Sequence, residues 1–319
     1  MIVPPRWPLK LCGAALMSLV FVSGCATPRS PAQEQARMRT LRSELLARGD
    51  PDSVATAAFI ERFATGAWHD APDLAARATA AAPDRADLAF QQLLLCYQQP
   101  SCKPEPLEAQ LRVLDPSNGV TWLFALGRAT RANDAASAPL ALEGLAQAQR
   151  VDLYWTKLVS RMTASIAGHA GYDQSAAFVA VVGIDAAMAI PPLQPVSRSC
   201  SRTAIADGEV LARCRRIAAA LEHADSILLE SYGNHLAASL WPQDSAEGKA
   251  VAARRRVLDY QVELWSLKQE ALNSPKATRT LATLMGQYPT EQQAFLALYA
   301  QLGLNPDPPA DWKKPEPHG

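Results

Sequence analysis

Glycine is scarce in this chain, at 16 of 319 residues. That leaves little room for the glycine-rich loops that cradle phosphates, and neither G-x-x-x-x-G-K-[ST] nor G-x-G-x-x-G occurs. No nucleotide site is expected. Aromatic residues make up only 7% and β-branched residues are few, which argues against an all-β fold. The five histidines, His69, His169, His223, His235 and His318, are scattered. No H-E-x-x-H and no G-x-S-x-G is present. The 31 basic and 31 acidic side chains cancel, so the basic excess usual in nucleic-acid proteins is missing. The apolar runs Leu11–Val22 and Ala176–Ile190 are too short to span a bilayer as a helix.

Alanine is abundant, at 59 positions, within a hydrophobic share of 49%. That share argues against wholesale disorder, and the length permits a sizeable core in one large or two ordinary domains. Alanine in such excess favours helices. An all-α fold is expected, with no cofactor implied.

The first residues read as an export signal. Arg6 and Lys10 form a positive start, and the apolar run ends in Val22-Ser23-Gly24-Cys25. This resembles the lipobox of bacterial lipoproteins: a branched apolar residue, two small residues, then cysteine. The resemblance implies that residues 1–24 are removed and that Cys25 carries lipid, with residues 25–32 as a tether. No aspartate follows at the second position, where Thr27 stands. In that family its absence implies the outer membrane, facing the periplasm; the alternative is the periplasmic face of the inner membrane. Removal of Arg6 and Lys10 leaves 29 basic against 31 acidic side chains. A mature chain without a basic excess gains nothing from anionic lipid, so lipid chains themselves are the expected membrane contact.

Cys12 lies in the signal and Cys25 is the lipid site, leaving Cys96, Cys102, Cys200 and Cys214. An even set in an oxidising compartment reads as disulfides. Three connectivities are possible, of which Cys96–Cys102 with Cys200–Cys214 is the local choice. The alternative is a four-cysteine zinc site. Zinc pairs normally enclose two to four residues, whereas these enclose five and thirteen. No metal site is expected.

Prolines divide the mature chain into helices, because proline starts a helix and cannot continue one. The spacing predicts helices over 33–48, 51–65, 72–82, 85–98, 104–114, 118–131, 135–149, 151–167 and 174–190. An irregular connection follows at 191–206. Two long helices are predicted over 207–240 and 245–272, then two short ones over 275–287 and 290–302. Val210, Cys214, Ile217, Leu221, Ala224 and Leu228 form an alternating stripe along the first long helix. Thr290 and Gln293 fit a capping box. Residues 303–319 hold five prolines and read as a flexible tail.

Ala89, Trp122 and Trp155 are 33 residues apart, as are Pro83 and Pro116, and each marks a helix start. Leu123, Leu126 and Gly127 follow one of these starts. This resembles the tetratricopeptide repeat over about residues 52–168, which implies helical hairpins with a concave surface for partners. Pro139 stands where that repeat has a small residue, and the first unit carries a cysteine pair in place of the usual glycine. The organisation expected is a hairpin region (33–190), the connection (191–206) and a longer-helix bundle (207–302). The whole chain also resembles uncharacterised proteobacterial lipoproteins with the same two cysteine pairs, a resemblance that implies no activity.

No catalytic constellation stands out. His223 and His235, twelve apart on one predicted helix, would point about 120° apart. Asp185 interrupts an apolar helix, and an unpaired buried charge is costly, so it is either paired or a shifted acid in a cleft. Arg198, Arg202, Arg213, Arg215 and Arg216 outnumber Asp207 and Glu209 around the second cysteine pair. They could bind an anion, guanidinium matching phosphate and carboxylate geometry, or form a solvated face. Trp68, Trp122, Trp155, Trp241 and Trp265 read as core anchors rather than a sugar platform. The leading expectation is a non-catalytic, lipid-anchored scaffold that binds a protein or peptide in the envelope. The alternatives are an enzyme acting on cell-wall material and a structural or stress-related envelope component.

Overall fold

The computed structural model describes residues 30–186 and 191–315. The lipobox, Cys25 and His318 lie outside the described residues. Sixteen α-helices account for most of what is described, with no strand among those residues. The fold is all-α.

Local chemistry explains most boundaries. Helix α1 (Pro31–Arg48) starts in a capping box, in which Ser30 accepts from the Gln33 N–H and the Gln33 side chain accepts from the Ser30 N–H. It stops at Gly49, whose φ of 73° suits glycine. Asp50 then caps α2 (Pro51–Thr65), with proline in the first turn. Helices α3 (Ala71–Ala81), α4 (Ala86–Tyr97), α5 (Glu105–Leu114), α6 (Val120–Ala132) and α7 (Ser137–Gln147) follow, then α8 (Trp155–Ile166) and α9 (Gln174–Ala186). Successive members pack on one another through α5, then α6 on α7 and α8 on α9.

The 33-residue spacing has a physical counterpart at the helix starts. Arg85 donates to Asp52 at 3.2 Å, and Asn118 and Arg150 form an isolated parallel bridge. Asn118 also donates to the Asp152 carbonyl and accepts from its N–H. Loops one period apart thus tie neighbouring hairpins together. That pairing keeps residues 151–154 out of the helix, with Tyr154 left-handed at φ 53°, so α8 starts at Trp155 rather than at Val151.

The connection at 191–206 contains α10 (Gln194–Ser199) and a 3-10 turn (Ala204–Ala206). The long helix expected over 207–240 is two helices, α11 (Gly208–Glu222) and α12 (Ile227–Leu240). The break comes from Asp225 and Ser226. Ser226 caps α12 by accepting from the Leu229 N–H. Both oxygens of the buried Asp225 carboxyl accept from the backbone N–H groups of Leu153 and Trp155. The stripe on α11 is buried from Cys214 to Ala224, whereas Leu228, past the break, is 36% exposed. His223 and His235 consequently lie on different elements.

The second long helix also divides, into α13 (Ala246–Leu267) and a single turn, α14 (Gln269–Leu272). The body closes with α15 (Pro275–Gln287) and α16 (Glu291–Gln301), the latter capped by Thr290. One hydrophobic core runs from Met38 to Tyr299. It is continuous because α15 packs on α8 and α9 while α11 packs on α7. Gly233 lets α12 approach α11: a Cβ there would lie 2.7 Å from the Leu221 carbonyl carbon. No helix of the described residues is long and apolar enough to cross a membrane.

The tail up to Pro315 lies along α13. Arg256 donates to the carbonyls of Pro309, Ala310 and Trp312, the latter two at 3.2 Å. The Trp312 indole N–H donates to Glu263 at 2.8 Å, its ring meets Tyr260 edge-on at 5.4 Å, and Lys314 pairs with Asp259 at 2.7 Å.

Candidate functional site

Helix α8 places Lys157, Ser160, Arg161 and Ala164 on one face, at helical spacing. That face lines a groove of about 760 Å³. Its other walls are the starts of α2 and α4 and the end of α15, including Tyr288. A volume of this size falls within the ~300–1,000 Å³ range of small-molecule sites. Four cations, Arg48, Arg85, Lys157 and Arg161, face four aspartates, Asp50, Asp52, Asp84 and Asp87, so the lining is formally neutral.

The groove floor is an arginine–aspartate network. Arg85 holds Asp87 as a fork, Nε to Oδ1 and Nη2 to Oδ2, both at 2.7 Å. Arg161, only 8% exposed, lies 3.5 Å from Asp87 and 3.8 Å from Asp52 through Nε. Its Nη2 donates to Gln91, which in turn donates to the Ala55 carbonyl. Its Nε and Nη1 have no hydrogen-bond partner. Burial pushes the Asp87 carboxyl up, but the hydrogen bonds from Arg85 and the charges of Arg161 and Arg85 outweigh it, leaving the group below the usual carboxylate range. Burial also pulls Arg161 below its ordinary value, against the opposing pull of Asp87 and Asp52. A buried guanidinium with idle donors is costly unless something accepts from them. Lys157 and Asp84 make no ion pair among the described residues.

None of the groove residues belongs to a sequence motif. Arg161 lies with Lys157 and Ser160 on the polar face of α8, so its burial has no signal in the helical pattern. Asp52 and Arg85 sit one 33-residue period apart, which hinted at their contact.

The expected cysteine pairs are joined as Cys96–Cys102 and Cys200–Cys214, with Cα atoms 5.3 and 5.7 Å apart. The five arginines around the second pair do not converge on one point. Arg213 and Arg216 both reach Glu143, at 2.9 and 3.6 Å. Arg215 stacks 3.5 Å over Trp241 and donates to the Leu240 carbonyl. Arg198 and Arg202 are exposed. The tryptophans pack: Trp265 meets Phe295 edge-on at 4.8 Å, Arg112 covers Trp122 at 4.4 Å, and Trp68 and Trp155 lie against the core.

Asp185 makes no ion pair or hydrogen bond with another described residue, and it does not line the groove. Burial first, and then the charge of Glu291, pushes its carboxyl up to about 7. It belongs to a second set of acids at the seam between the two halves. Asp225 is pushed up to about 8, by burial and then by Asp152. Glu230 rises to about 7, by burial and then by Glu291 and Glu222. Glu291 itself accepts from the Ile227 N–H at 2.8 Å, and burial raises it too. Asp225 and Glu291 bind loops together. No group of three or more His, Cys, Asp or Glu among the described residues is arranged to hold a metal ion.

No family model, no curated protein and no solved structure matches this chain.

Proposed function

We propose that this chain is a non-catalytic outer-membrane lipoprotein, held through lipid on Cys25 and facing the periplasm, whose helical body binds a protein or peptide partner of the envelope. The lipobox-like Val22-Ser23-Gly24-Cys25 and the two disulfides support the compartment. The observation that carries the binding role is the tail on α13. There the protein already holds an extended, proline-rich segment, through three main-chain carbonyls, one tryptophan and one lysine. Main-chain recognition with a single aromatic anchor suits an exchangeable polypeptide. Two apolar side chains of α13, Val262 and Leu267, remain 47% and 66% exposed.

A photo-crosslinker at Val262 in intact cells is expected to capture an envelope partner, with more adduct when the chain ends at Leu304. No adduct beyond the lipid-processing enzymes, with or without the tail, refutes the binding role. Loss of envelope integrity on deletion without any discrete adduct would mark a structural component instead. Cys25→Ala is expected to abolish lipid labelling and release the protein from the membrane; continued labelling sinks the anchor.

A further inference from the structure

The groove beside Arg161 combines three features. Its four cations and four aspartates cancel, so neither an anion nor a cation is drawn in by net charge. It nevertheless has unspent hydrogen-bonding capacity of both signs. Lys157 and Asp84, both exposed, make no ion pair at the wall, whereas the idle Arg161 Nη1 is sealed in the floor beneath them. The Ser160 hydroxyl makes no hydrogen bond among the described residues, and it sits close against Gly286, where a Cβ would lie 2.7 Å from Ser160 Oγ. Finally, Tyr288 leaves 38% of its surface exposed at the edge.

A ligand that fits must be neutral, must both donate and accept at closely spaced atoms, and must offer a flat apolar face. Hydroxyl groups do the first two, each having one donor and two acceptor lone pairs. A pyranose ring supplies the third through its C–H face, against the tyrosine ring. An added anion would meet Asp52, Asp87 and Asp84 alongside the guanidinium it sought. An apolar ligand would strip water from eight charged groups without replacing their hydrogen bonds. We propose that this groove, lined by Arg161, Lys157, Asp84, Ser160 and Tyr288, binds a neutral oligosaccharide. Lys157 donates to ring hydroxyls, Asp84 and Ser160 accept from them, and Tyr288 stacks on one ring. The groove shares no residue with the α13 face, so this binding stands apart from the polypeptide role.

The test is calorimetric titration of the full chain carrying Cys25→Ala with three probes: maltotriose, the N-acetylglucosamine trimer and trialanine. At least one trisaccharide is expected to bind, with affinity unchanged from low to high salt because no net charge is neutralised. Lys157→Gln and Tyr288→Ala alter exposed or half-exposed side chains, and each is expected to weaken that binding about tenfold, the loss of one good contact. Circular dichroism checks that both variants stay folded. Failure of both trisaccharides overturns the proposal. So does preferential, salt-sensitive binding of trialanine, which would make the groove a site for charged peptide ends. Binding that both variants leave intact places the sugar elsewhere and also overturns it.

Discussion

Replacing Asp185 by asparagine is expected to stabilise this protein at alkaline pH and to do almost nothing in acid. The carboxyl has an ordinary value of 3.8 and is raised to about 7 in the fold, by burial and then by Glu291. Between those values the folded state keeps a proton that the unfolded state has released. The stability linked to this group is therefore fully present below about pH 4 and is lost as pH rises through about 7. A shift of roughly 3 units corresponds to about 4 kcal/mol at most. Asp185 retains some surface, and effective dielectrics inside proteins are near 20, so a penalty of about 1–3 kcal/mol above pH 8 is the working magnitude. Asparagine keeps the shape and removes the charge. Urea unfolding of both proteins at pH 4 and pH 8 reads the difference directly, because Asp225 and Glu230 titrate alike in each. The gain of the variant should grow from near zero to about 1–3 kcal/mol across that range. A gain equal at both values refutes the reasoning. A loss at pH 8 would mean that the carboxylate has a partner that asparagine cannot satisfy.

Gly233→Ala drives a methyl group against the backbone of Leu221 and Glu222, 2.7 Å away, and is expected to cost about 1–3 kcal/mol in urea unfolding. Arg215→Ala removes the stack on Trp241 and the bond to the Leu240 carbonyl, so it should lower stability by about 1–2 kcal/mol, while exposed Arg202→Ala stays within about 0.5 kcal/mol. Reduction of Cys200–Cys214 opens a loop closed across a separation of 14 and should cost about 3 kcal/mol by calorimetry. Mass spectrometry of the mature chain without reductant should find no free thiol. Trp312→Ala should leave the thermal midpoint within a few degrees while freeing residues 305–315 to fast amide exchange, since Trp312 anchors only the tail.

Sequence alone determined the all-α class and most helix starts, and of three cysteine connectivities it favoured the local one that the fold adopts. Thr290 announced its cap, because a cap bonds to backbone only two or three residues away. Tertiary structure decided the rest. Asp225 breaks the expected long helix because its carboxyl is needed by backbone groups of Leu153 and Trp155, some 70 positions earlier. The tail lies along α13 because Arg256 and Glu263 meet it there. The groove exists because α15 packs on α8 and carries Tyr288 to a wall opposite the starts of α2 and α4. Arg161 shows only as one more charge on a polar helix face until that packing surrounds it with Asp52 and Asp87. Caps and periodicity act over a few residues and so are written locally. The partners of a buried charge come from distant segments, and only the packed core selects them.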